Sequence, residues 1–426
     1  MTTNPIGVGI LGCGFIARAH MRGYMTFPTE ARIVALYNRT RTKAEAARAY
    51  IQSYAADQAN KLSDRLLNPN LADDAAKLQA RREALLELAK SDITIYDQWQ
   101  DLAADDRVGL VTNTTPPYLH HASTRDMLEA GKHVLLEKPL SGSLAEADEL
   151  ISLAEANNLC FSVVSQGRYA DDQRRMRALV ANDKLGRVFL LKCDTHWYRD
   201  NSYYMLEWRG NWANECGGAL LNHGWHLLDQ SLFIVGKRVK RVSARMDAFS
   251  HPPLREKALH GVPTEDTIVA LLEFNDGAIG EVTAAVTLHT QRAQIELYGE
   301  RAATQLIPWA VESQDADYTA QLQAWAAKAI EPQPADWLPP QAERDTIDGV
   351  RQYRDPTWTH TAQVRDLIDA IQAGRPSLSD GRAARATLEV VLAAYKSAIT
   401  GQTVELPLSA DDPYYQGVDA ALRSQA

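Results

Sequence analysis

Hydrophobic and polar positions along the chain follow two different rhythms. Up to residue 166, short apolar runs bounded by turn residues alternate with helical stretches. Strands are predicted over 6–11, 33–37, 109–111, 133–136 and 160–164, with a helix over 144–156. Continuous apolar runs suit strands covered on both faces, and their alternation with helices predicts a doubly wound parallel sheet. One piece breaks this rhythm. From about 51 to 91 the chain is rich in Ala, Leu, Gln, Asp and Arg and is interrupted by Asn68-Pro69-Asn70, which predicts an inserted helical hairpin solvated on one face. From Arg187 onward apolar and polar positions alternate, as in "RVFLLKCDTHW" and "DTIVALLEFNDGAIGEVTAAVTL", the pattern of a mainly antiparallel sheet. Asn275-Asp276-Gly277 lies between two such runs and marks a hairpin turn. Helices are predicted over 218–235, 361–373 and 381–400, the last ending at Gly401, while 314–355 looks irregular. The chain therefore divides into residues 1–166 and 167–426.

Composition changes this picture little. The 426 residues are 45% hydrophobic and 23% charged, with a formal net charge of -9. An acidic balance argues against nucleic acid or an anionic membrane as the main partner. No apolar run reaches the length of a bilayer crossing, and the first residues lack a signal-peptide layout. Four widely spaced cysteines suggest neither a disulfide framework nor a zinc ribbon, so a reduced, cytoplasmic protein is expected.

Gly12-Cys13-Gly14-Phe15-Ile16-Ala17 follows the first strand and opens a helix. This is the G-x-G-x-x-A form of the dinucleotide fingerprint: a tight turn, close backbone approach to a pyrophosphate, and a small residue for helix packing. The alternative is a glycine turn used only for packing. After the second strand, an NAD site usually carries Asp or Glu toward the ribose hydroxyls. Here stands Asn38-Arg39-Thr40-Arg41, with no carboxylate to repel a 2'-phosphate and two arginines able to pair with one. NADP is favoured, with NAD still usable through Asn38 if both arginines face solvent.

Two further stretches carry candidate chemistry. The strand 133–136 ends in Glu137-Lys138-Pro139, and a lysine there is costly unless something binds it or the segment is a solvated loop. In the helix over 218–235, Asn222, His226 and Asp229 share one face of an otherwise apolar surface. That stripe could be a metal site with His223, a structural hydrogen-bond network, or a pocket in which His226 transfers a proton.

Together, Gly12-x-Gly14-x-x-Ala17, Glu137-Lys138-Pro139 and Gly217-Gly218-x-x-x-Asn222-x-x-x-His226-x-x-Asp229 resemble the Gfo/Idh/MocA family of oxidoreductases, which includes glucose-fructose oxidoreductase and inositol dehydrogenase. The similarity spans nearly the whole chain outside the insertion. Thr115-Pro116 with His120, and Gln166-x-Arg168-Tyr169, are similar to the family's cofactor-side loop and domain junction. The resemblance implies an N-terminal Rossmann domain and a C-terminal α/β domain for substrate binding and oligomerisation. It implies hydride transfer between NAD(P) and a secondary alcohol or ketone of a sugar, cyclitol or glycoside. Lys138 and His226 are the implied catalytic pair, with Arg168, Tyr169 and Asn222 beside them at the substrate. Gly12, Gly14, Phe15, Ile16, Asn38, Arg39, Thr115, Pro116, His120, Glu137 and Lys138 are implied on the cofactor side, and no metal. The chain departs from the family in carrying Asn222 where Asp is frequent and Cys216 where glycine is common. Trp197, Tyr198, Tyr203, Tyr204, Trp208 and Trp212 suit sugar stacking or core packing. Other family roles remain as alternatives: oxidation followed by elimination with a retained cofactor, or a non-catalytic regulator. Relatives pair their open sheets face to face, so a homodimer or homotetramer is implied, with a cis Lys138-Pro139 bond turning the lysine inward.

Overall fold

The apolar runs of the N-terminal half form a six-stranded sheet with every strand parallel to its neighbours. The computed structural model describes residues 4–66, 75–332 and 360–424. Within them the chain runs β1 (Ile6–Leu11), α1 (Ala17–Thr26), β2 (Ala31–Tyr37), α2 (Arg41–Leu66), α3 (Ala75–Lys90), β3 (Thr94–Tyr96), α4 (Trp99–Ala103), β4 (Leu110–Asn113), α5 (Pro117–Glu129), β5 (His133–Leu136), α6 (Leu144–Ala156) and β6 (Phe161–Val163). The strand order β3-β2-β1-β4-β5-β6 reverses between β1 and β4, which opens a crevice at their C-terminal ends. Ser143 starts α6 by accepting the Glu146 N–H (3.1 Å), while Glu146 reaches back to the Gly142 N–H, a reciprocal cap.

The inserted hairpin is longer than its composition suggested. Its first helix is continuous with the one that follows β2 and begins at Arg41, since nothing between 41 and 66 stops a helix rich in Ala, Glu and Arg. The helices α2 and α3 pack on each other and bury Ile51, Ala55, Ala59, Leu85 and Leu88. Asn68-Pro69-Asn70 lies outside the described residues.

The C-terminal half continues with α7 (Asp171–Ala181), β7 (Val188–His196), α8 (Trp225–Val235), β8 (Val239–Asp247), α9 (Pro252–Glu256), β9 (Thr267–Phe274), β10 (Ile279–Ala285), β11 (Arg292–Gly299), β12 (Ala303–Gln305), β13 (Ala310–Glu312), α10 (Ala316–Ala326), α11 (His360–Ala373), α12 (Gly381–Thr400), β14 (Val404–Glu405) and α13 (Val418–Ser424). Its strands form one sheet in the order β13-β12-β11-β7-β10-β9-β8-β14. The sheet is mainly antiparallel, but β7 and β10 pair in parallel at its centre. Gly277, at φ +82°, turns β9 into β10. The stretch 314–355 contains α10, capped by Asp315, where an irregular segment was expected; its residues from 333 onward lie outside the described ones.

Helices α8 and α12 cover one face of this sheet and bury Ile268, Ala270, Leu272, Phe274 and Val282. The other face leaves Val269, Leu271 and Ile279 exposed. Helix α11 packs on α1, and Val364, Leu367 and Ile368 join an apolar cluster with Ala17, Met21 and Tyr24. The chain therefore returns to brace the helix that follows the glycine turn. No helix among the described residues is long and apolar enough to cross a membrane.

Candidate functional site

The glycine turn sits at the crevice between β1 and β4. Gly12 has φ +84°, and a Cβ there would lie 2.7 Å from the Thr114 carbonyl oxygen, so only glycine fits. A Cβ on Gly14 would meet nothing within 4 Å. That open space lies before α1, whose N-terminus at Ile16 has no side-chain cap, so the positive end of the helix faces it directly. Phe15 stands exposed beside the turn. The arrangement fits the pyrophosphate of a dinucleotide.

The Asn38 carboxamide oxygen accepts the Cys13 N–H (2.9 Å) and so ties the end of β2 to the glycine turn. Its amide group donates to the Thr40 carbonyl (3.0 Å). The two arginines beside it differ. Arg41 is engaged with Asp97 (2.6 Å) and Glu45 (3.5 Å), whereas Arg39 is exposed and makes no ion pair among the described residues.

Across the crevice, Asn113 accepts from the Thr115 N–H (3.1 Å) and hydroxyl (2.7 Å), which shapes the Thr115-Pro116 loop. His120 is buried beneath it, with Nδ1 2.7 Å from the Pro139 carbonyl oxygen and Nε2 2.8 Å from that of Thr115. Burial keeps its pKa below the ordinary value although both carbonyls pull the other way. His120 thus braces the loop against the Glu137-Lys138-Pro139 turn, where the Lys138–Pro139 peptide is cis.

Glu137 points inward to His20, which lies 2.9 Å away, and also accepts the Lys138 N–H (3.1 Å). His360 packs edge-on against His20 with ring centroids 4.6 Å apart. Candidate ligand atoms of these three buried side chains lie within 4.8 Å of one another. Burial pushes the Glu137 carboxyl up, but the His20 hydrogen bond and the charges of His20, His360 and Lys138 outweigh it and hold it at about 2. Sequence reading missed His20 and His360. Only the histidine on an otherwise apolar face of α1 hinted at the first.

Lys138 extends the other way and donates to the backbone oxygen of Asn222 at 2.6 Å. This contact joins the two halves of the chain. Burial lowers the Lys138 pKa from 10.5 to about 8, with Arg209 and Arg199 adding to the effect and Glu137 and Glu215 opposing it. Asn222 lies in a π-helical turn, Leu220–Gly224, that precedes α8. Its amide donates to the Gly217 (3.0 Å) and Gly218 (3.1 Å) carbonyls, which leaves the side-chain oxygen without a partner among the described residues. The turn is anchored by buried Glu265, which accepts the N–H groups of Gly218 (3.0 Å) and Leu220 (2.7 Å) and the Tyr395 hydroxyl (3.0 Å).

The π turn changes the face expected from α-helical spacing. The π turn holds Asn222, whereas His226 and Asp229 both lie in the regular α-helix that follows it. Asp229 is buried and receives Arg168 Nε at 2.7 Å and the Thr387 hydroxyl at 3.0 Å. Arg168 therefore spends its fork on Asp229 and the Leu378 carbonyl, and Tyr169 donates to Asp366 at 2.9 Å. Both are buried at the junction. His223, Asp229 and His226 do not converge as metal ligands, because Asp229 belongs to Arg168.

His226 is half-buried and has no hydrogen-bond partner among the described residues. Burial, and then the charge of Lys138, lower its pKa to about 3, so the ring is neutral at neutral pH. Trp197 stands 6.0 Å from the His226 ring. Tyr203 and Trp208 remain partly exposed, Tyr198 stacks on His289, and Tyr204 and Trp212 belong to the core.

Comparison with known proteins agrees with this architecture. Residues 6–165 match a family model described as "Oxidoreductase family, NAD-binding Rossmann fold", and residues 177–406 match its "C-terminal alpha/beta domain". An uncharacterized oxidoreductase of Schizosaccharomyces pombe is 31% identical over 192 residues, 43% of this chain and 50% of that one, so the match spans about half of that relative. The D-glucoside 3-dehydrogenase of Escherichia coli is 22% identical over 425 residues, covering 95% of this chain and 99% of the other. In structure, the WlbA dehydrogenase of Bordetella pertussis, solved with NADH and UDP-GlcNAcA, superposes with a TM-score of 0.70 at 19% identity, covering 96% of this chain and 100% of that one.

Proposed function

Since the chain belongs to the Gfo/Idh/MocA family of oxidoreductases, we propose that it is an NAD(P)-dependent dehydrogenase or reductase acting on a secondary alcohol or ketone of a sugar, cyclitol or glycoside. The observation that carries this reading is the 2.6 Å contact from Lys138 to the Asn222 backbone, which ties the lysine to the turn leading into the helix of His226. A bound nicotinamide would supply the hydride acceptor, held at the turn of Gly12 and Gly14. His226 takes the hydroxyl proton on its unpartnered ring, and the Lys138 ammonium stabilises the alkoxide character that develops. The Asn222 carboxamide oxygen accepts from a second sugar hydroxyl. Arg168 and Tyr169 act by holding the junction. Retention of both Lys138 and His226 favours turnover over a purely regulatory role, and the E. coli relative is named for oxidation at a glucoside carbon.

NADP is the favoured cofactor, because exposed Arg39, which makes no ion pair among the described residues, can meet a 2'-phosphate while Asn38 brings no negative charge. The exposed Val269, Leu271 and Ile279 on the open face of the second sheet support a symmetric homodimer or homotetramer joined there. Light scattering that returned the monomer mass of 47.2 kDa would refute that assembly.

The activity is tested by following the near-ultraviolet absorbance of reduced nicotinamide with NAD and NADP against a panel of sugars, cyclitols and glycosides. Steady reduction of free cofactor by one class is expected. Conversion of a glycoside without net cofactor reduction would favour the oxidation and elimination route instead.

A further inference from the structure

The pocket beside His226 carries more positive charge than hydride transfer from a neutral sugar requires. The guanidinium carbon of Arg199 lies 6.0 Å from the Trp197 ring, the same ring that stands over His226, and 5.4 Å from Tyr203. Arg209 also sits on Tyr203, at 3.9 Å, and on Trp208, at 4.2 Å. Both arginines are near enough to Lys138 to disfavour its charge. Three cations therefore share one aromatic-walled space.

The carboxylates nearby are already committed. Buried Glu215 pairs with Arg209 at 2.7 Å, and Glu137 faces His20. Arg199 makes no ion pair among the described residues; its guanidinium donates to the Tyr198 carbonyl at 3.1 Å. Yet its backbone is pinned. The N–H donates to the Val286 carbonyl at 2.9 Å, and its own carbonyl lies 2.9 Å from Nε2 of His251, whose other ring nitrogen is 3.0 Å from Asp266. Two more polar atoms beside Tyr203 are buried without partners among the described residues: Nε of Arg209 and Nδ1 of His223. Orphaned donors and an unbalanced cation cost free energy unless a ligand satisfies them.

We infer that the substrate of this oxidoreductase carries an anionic group, a carboxylate or a phosphate, which seats against Arg199 and Arg209 while the reacting hydroxyl lies at Lys138 and His226. The inference rests on the dehydrogenase reading and narrows it to acidic sugars or sugar phosphates. The fork of Arg199 suits two oxygens of one anion, the Arg209 Nε supplies a further donor, and the Trp197 and Tyr203 rings exclude water from the pair. A neutral sugar would leave these groups unmatched.

Calorimetry on the full chain loaded with NADPH tests this without turnover. D-glucuronate and D-galacturonate are titrated against D-glucose and D-galactose, and glucose 6-phosphate against glucose, all at one ionic strength. At least one anion should bind roughly 10- to 100-fold tighter than its neutral partner, as expected of a charge-assisted, partly desolvated contact. Preference for the uronates identifies a sugar acid, and preference for the phosphate a sugar phosphate. Arg199→Gln should remove most of the difference with NADPH binding unchanged, and Arg199→Lys should restore part of it. Neutral sugars binding as tightly as every anion, or a preference that survives Arg199→Gln, would overturn the inference. Turnover separates the two levels: reduction of cofactor by neutral sugars alone would leave the dehydrogenase reading intact. Tight anion binding without hydride transfer to either cofactor would do the reverse.

Discussion

Replacing Lys138 by alanine should remove the charge that stabilises the developing alkoxide. Burial and neighbouring arginines lower this ammonium's pKa from 10.5 to about 8, so holding it charged costs about 3 kcal/mol. An alkoxide forming beside it returns that cost in the transition state, which corresponds to roughly 10²-fold in rate. Loss of hydroxyl positioning adds to this, so turnover should fall by roughly 10²–10⁴-fold, the range usual for positioned acid–base groups. The assay is steady-state oxidation by absorbance, run from acid to alkaline pH. In the wild type kcat/KM should decline above about pH 8, where Lys138 loses its proton. No limb should appear near pH 6.5, because His226 stays neutral down to about pH 3. Lys138→Arg should be impaired through geometry but should lose the alkaline limb, since a guanidinium stays protonated. Near wild-type turnover in Lys138→Ala would refute the reasoning. A wild-type rate that rises through pH 8 would show the neutral amine to be the working form and refute the assigned roles.

Other predictions follow from the same contacts. His226→Ala should lower kcat by roughly 10²–10⁴-fold with little change in cofactor affinity measured by NADPH fluorescence; equal loss of both would show the ring to be a binding element. Arg39→Ala should weaken NADP far more than NAD in the same titration, because only NADP offers a 2'-phosphate; equal losses would remove the basis for cofactor choice. Arg168→Ala leaves Asp229 buried and uncompensated, so denaturant unfolding should show a loss of about 3–5 kcal/mol; a normally stable variant with impaired substrate binding would return Arg168 to the substrate. Burial raises the Glu265 carboxyl from 4.5 to about 7, so the folded chain binds more protons than the unfolded one between those values. Stability should therefore fall as pH rises through that window, by about 3 kcal/mol from this group, and Glu265→Gln should flatten the dependence; identical slopes would show that Glu265 does not titrate there.

The fold was largely legible because its signals are local. Buried parallel strands show as apolar runs, Gly277 needs the left-handed conformation that its turn demands, and Gly401 closes α12 with φ +75°. Strand β3 escaped because Thr94-Ile95-Tyr96 is a half-buried edge strand without the continuous apolar run that betrays β6. The start of the insertion was misplaced because a helix continued without a stop signal through 41–66. At the candidate site, the motif residues could be read, but their surroundings could not. The partner of Asp229 is Arg168, 61 residues earlier in the chain, so spacing along the helix could not reveal that this carboxylate is already engaged. His360 meets His20 only because α11 folds back onto α1, and Arg199 enters the pocket from the loop after β7. Contacts of that kind depend on tertiary arrangement, which periodicity does not encode.

The central claim is hydride transfer from a secondary carbinol carbon to a nicotinamide held at the glycine turn. Mass spectrometry of the cofactor after incubation with carbinol-deuterated sugars and sugar acids tests it most directly. The account predicts deuterium in the reduced cofactor pool with the wild type, and almost none with Lys138→Ala over the same time. Substrate converted with the label absent from the free cofactor would contradict it.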